Sequence, residues 1–443
     1  MFNQTLNEFL TSIDYVVWTY FGIYFVILSG LYFSIRSRGF QFEVLTSLSF
    51  IKHLYSISKD KTARGINPFK LYFASIGGMI GLGNLVVIVT AVTSGGPGAL
   101  FWMWVATFAG MMIKYAEIYL GVKFRQDNKK GGYDGGPMFY LKEAFGNKWL
   151  PIASCVLLCI YGAEVMQFKI ITDTVSQTFD LNWLLVACII AALVLYASIG
   201  GVRRLASICT VLMPFFMGLY VVMCFYVIFQ DFGSLSSVLW IVVKSALTGH
   251  AAVAGFAGST ALAAMHFGVA RAVYSGDIGI GYDSIVQSET KSKDPEPQAR
   301  LAIFGLFTDM IIGTCTVLVV LLTGAWKDPR ITEPSLYIIK SLSLYFPYVE
   351  IFMCAMFFVV GYATVIAYFT IGIKCASFIN AKVGREIYIV YGMSAFLLTK
   401  FVDQNNLVII MSIAGGLLVI MNVSAIIKLR KLINFSHKRL HSR

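Results

Sequence analysis

Charge is scarce in this chain: 13% of its 443 residues are Asp, Glu, Lys or Arg, against 58% that are hydrophobic. Soluble domains carry about 25% charged residues, so the composition excludes a water-soluble domain of any size. Metal and disulfide patterns are missing too. The eight cysteines (Cys155, Cys159, Cys188, Cys209, Cys224, Cys315, Cys354 and Cys375) all lie in apolar segments without ligand spacing, which reads as small apolar filling. The sequence offers no nucleophile–base pair, metal cluster or phosphate loop, which speaks against an intramembrane enzyme. The first apolar run, Tyr15 to Phe33, has neither a basic leader nor a small-residue cleavage site, so it is expected to remain as a helix.

What the chain has instead is a succession of apolar runs near the roughly 20 residues that cross a bilayer. Eleven spans are expected, at about 15–35, 71–93, 98–121, 150–172, 183–199, 205–230, 248–275, 299–324, 347–373, 386–402 and 407–428. This is the pattern of an all-α polytopic membrane protein. A net charge of +12 would suggest nucleic acid in a soluble protein, but here its placement explains it and no nucleic-acid partner is expected. Alternating the loops puts 27 of the 35 lysines and arginines on one side. Lys169, Lys244, Lys327, Arg330, Lys340 and Lys400 fall on the other, while Lys114 and Arg271 lie within spans. Positive residues stay inside, so the N-terminus is expected outside and the C-terminus in the cytoplasm. The first inside loop, 36–70, spaces Phe40, Phe42, Val44, Leu45, Leu48, Ile51 and Leu54 among polar residues. It reads as an interfacial amphipathic helix or as a plain linker.

Two of the apolar stretches are interrupted by glycine. One reads Ile76-Gly77-Gly78-Met79-Ile80-Gly81-Leu82-Gly83-Asn84, the other Ser275-Gly276-Asp277-Ile278-Gly279-Ile280-Gly281. Glycines serve close helix packing in membranes. Unwound backbone at membrane depth, however, survives only where protein or a wet cavity satisfies its polar groups, and transporters bind substrate and ions at such breaks. Setting the first span aside leaves ten, with a break opening each half. The chain then divides into an extra helix (1–35), a linker (36–70), two five-span units of opposite orientation (71–230 and 231–428) and a basic tail (429–443). Internal inverted repeats also argue against a channel, which needs a ring of like residues from several subunits. Amide groups of Gly81-Leu82-Gly83 at a half-helix N-terminus favour a carboxylate. Carbonyls near Gly77 and Ile80 would suit a bare Na⁺, and Asn84 could cap the second half-helix.

Gly81-Leu82-Gly83-Asn84, followed by Ser94-Gly95-Gly96-Pro97-Gly98-Ala99-Leu100-Phe101-Trp102-Met103-Trp104, resembles the signature of the alanine or glycine:cation symporters. Lys114-Tyr115-Ala116-Glu117, Val122-Lys123-Phe124-Arg125, Gly135-Gly136-Pro137-Met138, Gly255-Phe256-Ala257-Gly258-Ser259 and Gly268-Val269-Ala270-Arg271 are similar too. The likeness runs over about 66–378. It implies a LeuT-type 5+5 inverted repeat and sodium-coupled uptake of small neutral amino acids. By the same resemblance Gln167 lines the substrate site, Thr364 supplies a hydroxyl to ion or substrate, and Tyr368 forms a wall. The expected substrate site is Gly78, Gly81, Leu82, Gly83, Asn84, Gln167, Gly276, Asp277, Ile278, Thr364 and Tyr368. Gly77, Ile80 and Thr364 form the expected Na⁺ site.

The chain also departs from that family. Leu82 stands where the family has threonine, Ser275-Gly276-Asp277-Ile278-Gly279 replaces Ser-Asn-Glu-Ala-Gly, and Ala363 replaces a serine. A proton carried by Asp277 or Glu164 is therefore an alternative to Na⁺. Glu164 reads either as a functional intramembrane carboxylate or as a partner of Lys169. Lys114 and Glu117, spaced i,i+3, read as an ion pair on one helix face. His266, near Arg271, reads as a structural hydrogen bonder. Asp309 is a further polar residue within a span.

The sequence thus reads as an importer of a small neutral amino acid in a bacterial inner membrane, expected to exclude large side chains through Leu82 and Ile278. A proton-coupled or altered-substrate carrier and a transport-inactive sensor of the same fold are the alternatives. The topology has a direct check by cysteine labelling in intact cells. Thr332→Cys should react with an impermeant reagent from outside, whereas Lys129→Cys should react only after the membrane is opened. Labelling of both from one side would break the eleven-span order.

Overall fold

A computed structural model describes residues 2–46, 49–59, 64–128, 132–248, 261–331, 333–402 and 404–436. Positions 129 and 332, the Gly255–Ser259 motif at the start of the seventh expected span and the tail from 437 lie outside the described residues.

The described chain is almost entirely helical. It opens with α1 (Phe2–Val16), a π-helical turn (Val17–Gly22) and α2 (Ile23–Arg36), followed by the linker helices α3 (Phe40–Thr46) and α4 (Ser49–Lys59). Next come α5 (Pro68–Met79), a π-helical turn (Gly83–Val87), α6 (Ile88–Gly95) and α7 (Ala99–Lys123). A two-stranded hairpin, β1 (Gln126–Asp127) and β2 (Tyr133–Asp134), leads to α8 (Pro137–Phe145), α9 (Trp149–Tyr161), α10 (Val165–Thr178), α11 (Trp183–Ile199), α12 (Gly201–Gln230) and α13 (Phe232–Thr248). The remainder holds α14 (Ala261–Gly276), α15 (Tyr282–Gln287), α16 (Pro295–Leu322), α17 (Pro334–Ser343), α18 (Val349–Ile379), α19 (Gly384–Leu398) and α20 (Gln404–Lys428).

The helix starts follow local chemistry. Asn67 caps α5 by accepting from Phe69 N at 2.9 Å, with Pro68 in the first turn. Asn182 caps α11, and Asp294 caps α16 ahead of Pro295. These side chains satisfy amides that no preceding turn can reach, and proline lacks the amide that would be orphaned.

Among the described residues, seven helices are long and apolar enough to cross a bilayer, or eight when the bent pair α5 and α6 counts as one span. The runs expected at 183–199 and 386–402 are the 17-residue α11 and the 15-residue α19, shorter than a straight crossing requires. A helix also stands at α13, where hydropathy placed only a connection, because Gly233, Ser234, Ser236 and Ser237 dilute its apolar residues. Within the bundle, α7 packs along α2, α14 and α16, while α18 packs against α5, α9, α10 and α12.

In the 36–70 linker the described helices α3 and α4 do not simply lie at an interface: their apolar residues Phe40, Val44, Phe50 and Leu54 are buried by protein, leaving Phe42 and Tyr55 facing out. The reason lies at the start of α16. The Arg300 guanidinium sits 4.8 Å from the Phe40 ring and 5.9 Å from that of Phe50, which holds both helices to the bundle through cation–π attraction. Residues following α20 close over the same spot. Arg300 donates to Ser436 O at 2.6 Å and pairs with Glu296 at 2.8 Å, and Ser436 Oγ donates to Glu296 Oε2 at 2.7 Å. The Tyr115 hydroxyl donates to Asn434 O at 2.7 Å, and Phe435 stacks on Tyr115.

His266 ties the first span to α14, meeting Thr19 Oγ1 at 3.0 Å and Asp14 at 3.8 Å. That matches the structural reading of this histidine. Close packing here also depends on Gly30, where a methyl group would sit 2.5 Å from Ala109 O of α7. Gly30→Ala should therefore separate α2 from α7 and destabilise the protein by about 1–3 kcal/mol, seen as a lower unfolding temperature in detergent. Gly218→Ala, where a methyl group meets nothing within 4 Å, should leave that temperature unchanged.

Candidate functional site

The first break begins where α5 ends, at Ile80 (φ −87, ψ 85), and the helix resumes after a 45° bend. Its polar groups are met from other helices. Leu82 N donates to Gln167 Oε1 of α10 at 3.1 Å. The Gly77 carbonyl accepts from Thr364 Oγ1 of α18 at 2.9 Å, and the Ala74 carbonyl accepts from the Tyr282 hydroxyl at 3.2 Å. Gly81 N turns back to Met79 O at 3.1 Å. Of the amides expected to await a carboxylate, those of Gly81 and Leu82 are thus engaged within the chain. A methyl group on Gly81 would fall 2.4 Å from Thr364 Oγ1 and 2.6 Å from Gln167 Oε1, so glycine is what lets these three meet.

The second break joins α14 to α15 through backbone that few residues adopt: φ is 51° at Asp277, 73° at Gly279 and 108° at Gly281. Non-glycine residues there are strained, and Asp277 is held by a dense set of partners. Lys114 Nζ donates to the carbonyls of Gly276 (2.6 Å) and Asp277 (3.1 Å), and lies 3.4 Å from both Asp277 Oδ2 and Asp283 Oδ2. Asp277 Oδ1 accepts from the Tyr368 hydroxyl at 2.9 Å, and its Oδ2 accepts from Asp283 N at 3.1 Å. Farther along, Asn422 Nδ2 of α20 donates to the carbonyls of Gly279 (3.0 Å) and Ile280 (2.8 Å).

The two breaks cross in opposite directions. Gly78, before the first, lies against Tyr282, after the second, and a methyl group there would reach 2.2 Å from the Tyr282 hydroxyl. Gly83, after the first break, faces Tyr274 and Ser275, before the second. Asp309 of α16 pins the crossing, with Oδ1 accepting from Asn84 Nδ2 at 2.7 Å and from Ser275 Oγ at 2.9 Å. Asn84 caps no half-helix: its Nδ2 donates to Asp309, and its Oδ1, the atom a cap would use, accepts no hydrogen bond. Gly276 abuts Leu306 and Asp309 from the other side.

Aromatic rings line the junction. Tyr368 stacks on Tyr282 with centroids 4.1 Å apart and lies 5.4 Å from Tyr161, which in turn meets Tyr274 at 6.0 Å. Glu164, at a left-handed break between α9 and α10 (φ 47°), accepts from Gln167 Nε2 at 3.0 Å and from the Tyr274 hydroxyl at 3.5 Å.

Geometry corrects three expectations. Glu164 does not pair with Lys169, which reaches Asp173 one turn on at 3.4 Å; the kink at Gly162-Ala163 turns the glutamate inward. Lys114 does not pair with Glu117, because the second break offers it two carbonyls and two carboxylates. Leu82 and Ile278 do not line one wall together. Leu82 lies by Gly361 and Ile171, whereas Ile278 fills the groove that Gly110 leaves on α7. The structure brings together Gly81, Leu82, Gln167 and Thr364, and beside them Asp277 and Tyr368, all at most 3% exposed where they carry a side chain. Sequence reasoning gave Lys114 a different partner and had no role for Asp309, Asn422, Tyr161, Tyr274 or Tyr282. A polar residue inside an apolar run was the one available signal for the first three.

Paired broken helices crossing antiparallel inside a helical bundle define a secondary transporter of the LeuT type. The solved structure of MhsT in complex with L-phenylalanine is similar to this chain at 15% identity and a TM-score of 0.53, covering 81% of this chain and 89% of that one. A manganese transporter from Eremococcus coleocola is similar at 12% identity and a TM-score of 0.54, covering 84% and 78%. The sequence profile of the sodium:alanine symporter family matches residues 3–441, and the chain belongs to that family. An uncharacterized transporter from Haemophilus influenzae is 31% identical over 97% of this chain and 95% of its own length. The sodium/alanine symporter AgcS from Methanococcus maripaludis is 26% identical over 88% and 87%, and the probable sodium/glutamine symporter GlnT from Bacillus subtilis 25% over 97% and 90%.

Asn422 offers a test of how the second break is held. Asn422→Leu keeps the bulk but leaves the Gly279 and Ile280 carbonyls without a donor, at about 1–3 kcal/mol for each group. Thermal unfolding should fall accordingly, and amide exchange of residues 278–283 should accelerate more than exchange in α18.

Proposed function

We propose that this protein imports a small neutral amino acid, such as alanine or glycine, together with Na⁺ across the bacterial inner membrane. The observation that carries this reading is the meeting of Gln167, Thr364 and the first break around Gly81. The Leu82 amide now bonded to Gln167 is a donor that a substrate carboxylate can take over, at the positive end of the following helix. Gln167 is then released toward the substrate and Glu164. Gly78, Gly83, Asn84, Gly276 and Asp277 frame this space through the crossing of the breaks, with Tyr368 as its aromatic wall.

For Na⁺, the carbonyls of Gly77 and Ile80 and the Thr364 hydroxyl are hard oxygen donors of the kind unwound segments offer to coupling ions. Thr364 and Gly77 already lie at hydrogen-bond distance. Ala363 stands beside Gly77 as well, its Cβ 3.7 Å from where a Gly77 methyl would be, so a hydroxyl is missing from this side of the set. Relatives named as sodium/alanine and sodium/glutamine symporters support the pairing of amino acid and Na⁺. The antiparallel crossing supports an eleven-span layout of two inverted units, 71–230 and 231–428, behind one extra helix. The basic skew supports an external N-terminus and a cytoplasmic C-terminus.

Uptake into proteoliposomes under an imposed Na⁺ gradient should exceed uptake under an imposed pH gradient, and labelled alanine should exchange in counterflow. No exchange would favour the sensor, and uptake that ignores Na⁺ would reject sodium coupling. Gln167→Ala should weaken substrate affinity, and Thr364→Val should raise the Na⁺ concentration for half-maximal uptake. Each change lies within roughly 2- to 150-fold, the range for losing one buried hydrogen-bond partner. Ala363→Ser should lower the Na⁺ requirement. Leu82→Ala should widen competition toward larger apolar amino acids, about 0.8 kcal/mol per added buried methylene.

A further inference from the structure

Beside the second break, three buried carboxylates accompany one buried ammonium. Asp277 and Asp283 lie 3.4 Å from Lys114, Glu117 follows it by three residues on α7, and all four side chains are fully buried. Two negative charges are thus left over in a region with no water to screen them, and a buried charge persists only when paired or neutralised. The four groups are not equally provided for. Asp277 is met by Lys114, the Tyr368 hydroxyl and the Asp283 amide. Asp283 has the ammonium alone, and neither of its oxygens is hydrogen-bonded. Glu117 has no hydrogen bond on either oxygen, and its former candidate partner Lys114 is turned to the break. The Tyr140 hydroxyl of α8 is also fully buried and without a hydrogen-bond partner.

A metal ion does not fit the arrangement. Among the described residues no three His, Cys, Asp or Glu side chains converge as ligands. A proton does fit. An acid at Glu117 removes one of the two surplus charges, at the carboxyl that has neither an ion-pair nor a hydrogen-bond partner.

We propose that Glu117 carries a bound proton, and that this proton keeps Lys114 on the second break. The reaction is simple exchange: the Glu117 carboxylic acid gives its proton to water when the site opens and takes one back when it closes. Losing it places a bare carboxylate one turn from Lys114 on the same face of α7. That carboxylate competes for the ammonium and withdraws it from the Gly276 and Asp277 carbonyls. Proton occupancy and the position of the second break are then linked, whichever substrate and coupling ion the protein carries.

The test uses the full-length protein in detergent and needs no substrate, so its outcome is independent of the proposed transport activity. The infrared spectrum at neutral pH should show a protonated-carboxyl band that is lost in Glu117→Gln and kept in Glu164→Gln. Amide exchange of residues 276–283, corrected for the intrinsic pH dependence of exchange, should rise from mildly acidic to mildly alkaline buffer. In Glu117→Gln it should stay at its acidic value throughout. A band that survives Glu117→Gln, or an unaltered exchange profile, would overturn the proposal. So would a Glu117→Gln chain that does not fold, because glutamine has the shape and donor of the acid form and a site built for that acid must accept it.

Discussion

The constraint on which this molecule rests is the need to satisfy peptide groups that have left the helix without reaching water. Between Gly276 and Gly281 the backbone turns through three left-handed residues, and a helical ladder cannot continue. Each unsatisfied group at that depth costs several kcal/mol. Lys114 and Asn422, from helices far apart in the chain, take four of the carbonyls between them. This is why a lysine is fully buried in a membrane protein: its three donors are worth more on carbonyls and carboxylates than the hydration it gives up. It also explains why α7 and α20, which form no part of the break, are locked to it.

One helix reads both breaks. Thr364 and Tyr368 are spaced i,i+4 on α18, so they share a face. The first touches Gly77 in the first break, the second Asp277 in the second. A rotation of α18 therefore alters both contacts together, while Asp309 holds the crossing itself through Asn84 and Ser275. Under the proposed transport cycle, such a rotation would couple the two breaks.

Much of this was legible in the residues. Apolar run length showed a polytopic helical membrane chain, and glycine clusters marked both breaks, because glycine alone tolerates the close approaches seen at Gly78 and Gly81. Gln167, Thr364 and Tyr368 did come together at the first break and beside it. What pattern could not supply was partner choice. The i,i+3 spacing of Lys114 and Glu117 is a sound rule for an isolated helix, but it is overridden where a neighbouring segment offers freer carbonyls. Helix α13 was missed for the opposite reason: serines lower hydropathy without preventing a helix. At the linker, pattern could not say what covers the amphipathic face, which looks the same under lipid or under protein.

The strap over Arg300 has a consequence in time. Asn434, Phe435 and Ser436 are synthesised after every helix they touch, yet they complete the packing around Tyr115, Glu296 and Phe40. At about 5–20 residues per second, translation delivers Tyr115 on the order of tens of seconds before its partner Asn434. The helices can enter the membrane one after another during that interval, while this end of the bundle stays unsealed. The strap therefore docks late, after the helices it covers have been made.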